Sequence, residues 1–184
     1  MTLSRIAEKY RRLRHTYGYG VHSPYAYFML ELLRRHPGYS YYADEQISLS
    51  ASKKNSRISK LKRRALMLHR LIGRFPVRDI FISGNLPQPL LEAIMKADSR
   101  VRFHTSEDSL LKSDLILICN IELCARKIFH AVEAGKMAII FTDEAVDHIL
   151  REFHEFPGLM LYSHDFLLLK KRPGMEFTKY SVLL

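Results

Sequence analysis

The sequence has no tryptophan and only two cysteines, Cys119 and Cys124, in 184 residues. So few thiols exclude a disulfide scaffold and a cysteine-based zinc site, and reduced cytosolic thiols are the expectation. No apolar run approaches the roughly 20 residues needed to span a bilayer; the longest, such as residues 115–119 and 166–169, fall well short. The opening Met1-Thr2-Leu3-Ser4-Arg5 leads into Glu8, Lys9 and Arg11 without the apolar core of a secretion signal. Neither membrane insertion nor export is therefore expected, and the location that follows is cytoplasmic. A Gly-x-Ser-x-Gly elbow, a Walker loop, a Cys-x-x-Cys pair and a Cys/His nucleophile arrangement are all missing. His148 and His154 stand six residues apart, off a common helix face, and so are not the paired ligands of a zinc enzyme.

Acidic residues are scarce at one end. Residues 1–75 hold 16 Lys/Arg and four acids, a net +12, whereas residues 76–184 are at −2 and the whole chain is at +10. With 47% hydrophobic and 26% charged residues, the composition is that of one soluble globular domain with a basic extension. The boundaries read as 1–75 for a basic helical N-terminal extension and 76–184 for an α/β core.

Within the extension, residues 4–13 read as a short basic helix. Ser23 and Pro24 form an N-cap and a first helical position ahead of the apolar run 25–33, which closes at Arg34, Arg35, His36, Pro37 and Gly38. Residues 39–56 read as a linker or lid. Ile58, Leu61, Ala65, Leu68, Leu71 and Ile72 then recur at helical spacing, with Lys60, Lys62, Arg63, Arg64 and Arg70 mostly on the other side, until Pro76 stops the helix. Beyond it, strands at 78–82, 101–104, 114–119 and 137–141 alternate with helices at 87–97, 122–134 and 144–153, the signature of a mostly parallel sheet covered by helices. After Pro157-Gly158 come strands at 159–162, 166–171 and 177–182, the first two joined tightly through Ser163-His164-Asp165, so the sheet is expected to end in an antiparallel edge.

Three stretches carry a family likeness: Gly20-Val21-His22-Ser23-Pro24-Tyr25-Ala26-Tyr27, Tyr41-Tyr42-Ala43-Asp44-Glu45 and residues 162–171. With the order of elements, they make the chain resemble a class I S-adenosylmethionine-dependent methyltransferase, and more narrowly a bacterial O-methyltransferase-like group. The resemblance implies a Rossmann-like, mostly parallel sheet with an antiparallel C-terminal hairpin. The segment between Phe103 and Asp114 is too short for a usual third strand and its helix, so the expectation is a trimmed sheet.

The resemblance also implies where a cofactor would sit. A Gly-rich turn after the first strand lets backbone approach the ligand and aims helix N–H groups at it. Here that turn is Ser83-Gly84-Asn85-Leu86-Pro87-Gln88-Pro89, with one glycine and two prolines that lack N–H donors. Gly84 and Asn85 are the cofactor-binding candidates there. An acid after the second strand would hold the ribose; His104-Thr105-Ser106 stands in its place, and Glu107 arrives late, as a ribose ligand or as the start of a turn. Asn120, a further cofactor-binding candidate, and Asp143 occupy the positions of a metal pair, a poor set for a hard cation, and Asp143 serves equally as a helix N-cap. No metal is expected. If methyl transfer survives, His22, Asp143 or Tyr19 is the candidate base.

The basic extension suggests a different role. Arg11, Arg12, Arg14, Lys60, Arg63 and Arg64, beside several tyrosines, fit a surface for nucleic acid or an acidic protein. The expectation drawn from the eroded motifs is a degenerate methyltransferase-like protein, a non-catalytic binding or regulatory module with no cofactor. The alternatives are a divergent active O-methyltransferase, which would bind S-adenosylmethionine in an intact pocket, and a nucleic-acid binder.

Overall fold

Continuous apolar strands can be buried on both faces only if helices lie above and below the sheet, and that requirement sets the architecture. The computed structural model describes residues 3–16, 20–33, 56–119, 125–142, 147–153, 156–172 and 177–182. Three helices come first: α1 (Leu3–Thr16), α2 (Pro24–Leu33) and α3 (Ser56–Arg74). The core then runs β1 (Asp79–Ser83), α4 (Gln88–Ala97), β2 (Arg102–His104), β3 (Leu115–Ile118), α5 (Ala125–Glu133), β4 (Met137–Phe141) and α6 (Asp147–Glu152). It closes with β5 (Leu159–Tyr162), β6 (Phe166–Lys170) and β7 (Thr178–Ser181).

The seven strands form one sheet in the order β2-β1-β3-β4-β6-β5-β7. β2, β1, β3 and β4 are mutually parallel, and β6 runs antiparallel between β4 and β5. This is a Rossmann-like α/β fold with an antiparallel C-terminal hairpin. Two details differ from the sequence reading. The antiparallel strand is interior, because the short turn through Ser163-His164-Asp165 folds β6 back between β5 and β4, while the edge strand β7 pairs parallel with β5. The trimming is real on the other side, where only the 3₁₀ turn Glu107–Ser109 lies between β2 and β3, yet β7 restores the count to seven.

Strand alternation sorts the side chains into two cores. Ile80, Leu117, Ile139, Phe141, Leu161 and Leu168 face α2, α3 and α4, so the N-terminal helices share a core with the sheet. Phe81, Ile116, Ile140, Leu167 and Leu169 face α5 and α6. β3 and β4 are buried at every position, as strands covered on both sides must be. Local signals mark the boundaries. Ser23 Oγ accepts the Ala26 N–H at 3.3 Å to cap α2, and Gly135, at φ 84°, ends α5 with the Lys136 N–H donating to Ala131 O at 3.1 Å. The Asp114 carboxylate accepts the N–H groups of Arg78 and Asp79, pinning the start of β1 to β3. Among the described residues no helix is long and apolar enough to cross a membrane.

Gly158 precedes β5 at a point with no room for a side chain. A Cβ there would lie 2.8 Å from the Lys170 carbonyl oxygen and 2.9 Å from the Phe156 ring. Because the carbonyl belongs to the paired strand β6, the backbone itself would have to shift. Gly158→Ala is expected to lower stability by roughly 1–3 kcal/mol, read from the midpoint of urea unfolding.

Candidate functional site

In an open, mostly parallel sheet, ligands bind beyond the C-terminal ends of the strands where the strand order reverses. Here that point lies between β1 and β3. The Cys119 N–H donates to Ser83 O at 2.9 Å and draws the two strand ends together. Gly84 follows β1 with φ 86°, a conformation that favours glycine, and Asn85 is exposed beside it. Pro87 then stands at the N-cap of α4 without a side-chain cap. The N–H groups of Leu90 and Leu91 both turn back to Pro87 O, at 2.9 and 3.3 Å, and Pro89 has none. Of the first-turn amides, Gln88 alone is left without a hydrogen-bond acceptor among the described residues.

The place expected for a ribose acid, at the end of β2, is taken by His104. Its Nε2 lies 2.7 Å from Asp79 Oδ1, and Arg102 donates to Asp79 Oδ2 at 2.7 Å. Arg102 and His104 together hold the Asp79 carboxyl below its usual range. Glu107 begins the exposed 3₁₀ turn and is ion-paired with Lys127 of α5. His22 is exposed in the loop ahead of Ser23. Asn120, Asp143 and Tyr19 lie outside the described residues. Among the described residues, no three His, Cys, Asp or Glu side chains gather as metal ligands would.

Farther along the same end of the sheet, α3 supplies a group that the sequence reading had assigned to the surface. Arg64 turns inward, and its side chain is 11% exposed. Its Nη2 donates to Thr142 O at 2.6 Å and Asp165 O at 3.1 Å, with Nε 3.9 Å from Asp165 Oδ2 and the guanidinium 5.1 Å from the Phe141 ring centre. These contacts tie the end of β4 to the start of β6. Helical spacing carries the signal that was missed: Arg64 lies between Leu61 and Leu68 at i−3 and i+4, on the apolar side. Burial pushes the neighbouring Cys119 thiol up to about 11, and the Arg64 charge only partly opposes this. Cys119 is therefore a neutral thiol at physiological pH and not a nucleophile.

The other basic candidates disperse in part. Arg11 and Arg12 both bind Glu8, at 2.5 and 2.9 Å, and Arg14 is exposed on α1. Arg63 lies 3.5 Å from the buried Asp165 carboxylate. Arg12, Lys60 and Arg63 nonetheless converge on His164 in the β5–β6 turn. Burial, joined by these three cations against the opposing pull of Asp165, lowers the His164 pKa.

A concavity of about 710 Å³ lies at the opposite end of the sheet, lined by Arg74, Arg78, Lys96 and Arg100 around Asp98. Asp98 accepts from Arg100 at 2.9 Å and Arg78 at 3.2 Å, and the side-chain and backbone hydrogen bonds from Arg100, helped by the Arg78 charge, hold its carboxyl at about 2. Arg74 and Lys96 lie in the last turns of α3 and α4, where cations offset the helix dipole.

Two outcomes follow. Arg64→Leu leaves a buried carboxylate and two strand-end carbonyls short of a donor, and is expected to cost about 2–4 kcal/mol in urea unfolding. The half-exposed Arg63→Leu is expected to cost less than about 1 kcal/mol. The second outcome concerns pH. His164 and His15 both have lowered values, chiefly through burial. The unfolded chain therefore binds more protons than the folded one between those lowered values and about 6.5, and stability rises with pH across that window. The urea midpoint should fall as the solution is acidified below about pH 6.5, and His164→Gln should flatten that fall.

No family model, curated protein or solved structure matches this chain.

Proposed function

We propose that this chain is a class I methyltransferase-type scaffold whose cofactor crevice has lost its ligand chemistry, and that it acts as a non-catalytic binding or regulatory module. One observation carries this reading, the first turn of α4. A nucleotide cofactor held at this point needs N–H groups aimed at its polar atoms. Pro87 and Pro89 have none, and the amides of Leu90 and Leu91 are already directed to Pro87 O. Among the described residues, the donors left at this crevice, with Gln88 the one open first-turn amide, do not suit S-adenosylmethionine. Two further features agree with it. The residue at the end of β2 is a histidine engaged with Asp79, and the Arg64 guanidinium lies at the end of β4, where a methyl acceptor would have to enter.

A divergent, active methyltransferase is the second reading. It is favoured by the strand order β2-β1-β3-β4-β6-β5 and by the positive φ of Gly84, which keep the turn geometry of such a site.

Isothermal titration of the purified chain with S-adenosylmethionine and S-adenosylhomocysteine separates the two. The expected result is no binding at micromolar ligand. Micromolar affinity for either compound would overturn the eroded-crevice reading in favour of the enzyme.

A further inference from the structure

Helix α1 is mounted inside out. It packs on the edge strand β7, and the described side chains on that side, His15, Arg12 and Glu8, are polar. The His15 ring meets Tyr180 edge-on at 5.4 Å, and Arg12 and Glu8, about one and two turns earlier on the same side, are about two-thirds covered. At 100° per residue, the opposite side carries Tyr10 and Leu13. They are 62% and 45% exposed, whereas an amphipathic helix of a globular protein would bury such residues. In the sequence Leu3 and Ile6 continue the same spacing toward the N-terminus.

Charge identifies the occupant of this outward stripe. The 14-residue helix contains Arg5, Lys9, Arg11, Arg12 and Arg14 against the single acid Glu8. Lys9 and Arg14 flank Tyr10 and Leu13 on either side and are exposed, as is Arg11. A second copy seated on the stripe would bring these cations together. Single-stranded nucleic acid would offer a stacking partner to Tyr10 but nothing to the aliphatic Leu13. An anionic lipid surface satisfies both, with the ring and the leucine entering the acyl boundary while the long basic stems reach up to the headgroups. Seating on the edge strand β7 leaves Tyr10 and Leu13 on the side of α1 that faces away from it.

We propose that α1 is a peripheral membrane-binding helix that recognises the anionic headgroup layer of a bilayer through Tyr10, Leu13 and their flanking cations. The inference is independent of the state of the cofactor crevice. It involves no crossing of the membrane, only binding parallel to its surface.

Sedimentation of the full chain with vesicles tests it, using phosphatidylcholine alone and phosphatidylcholine mixed equally with phosphatidylglycerol. The chain should bind the mixed vesicles, leave them as salt is raised and ignore the neutral ones. Tyr10→Ser with Leu13→Ser should weaken binding about tenfold or more. These side chains face solvent, so the thermal melt of the variant should match that of the parent; Leu13→Ser alone is the reserve variant if it does not. Absence of binding to the mixed vesicles, or equal binding by the variant, would overturn the proposal. So would failure on vesicles combined with a dimer in size-exclusion chromatography, or single-stranded RNA binding, that the substitutions abolish.

Discussion

The double pairing of β6 is the interaction on which the rest of the molecule depends. Phe166–Lys170 is hydrogen-bonded to β4 along one side and to β5 along the other, both antiparallel. Its side chains serve both cores, Leu168 toward the N-terminal helices and Leu167 and Leu169 toward α5 and α6. Without this strand, β5 and β7 would have no connection to the parallel half of the sheet, and α1 would lose its support.

The same strand organises the charges. Its first residue follows Asp165, whose carbonyl and buried carboxylate face Arg64 from α3. The basic N-terminal region is therefore not uniformly a solvated surface. One arginine has become part of the framework, two are tied to Glu8, and one of these, Arg12, joins Lys60 and Arg63 around a histidine in the β5–β6 turn. A net positive charge concentrated in the first 75 residues is thus divided between structure and surface.

Most of the element order could be read from the sequence because the signals are local. Met137–Phe141 is the apolar run that follows Gly135, Leu159–Tyr162 the one that follows the Pro157-Gly158 pair, and the Ser23-Pro24 cap starts α2 as expected. Pairing partners were less legible, since the parallel seat of β7 beside β5 depends on the path of the whole C-terminal segment. At the candidate site, the demand for glycine at position 84 was visible, whereas the engagement of His104 by Asp79 joins residues 25 apart and leaves no local trace. The Lys60-Leu61-Lys62-Arg63-Arg64 run hides Arg64 among basic neighbours, although its phase relative to Leu61 and Leu68 points inward.

The seating of α1 on β7 brings the earliest described element against the latest. In synthesis α1 leaves the ribosome before β7 does, so this seat does not exist until β7 has been made and has joined the sheet edge. This one contact thus spans nearly the whole of the described fold, and until it forms the cationic, tyrosine-bearing helix lacks its β7 anchor.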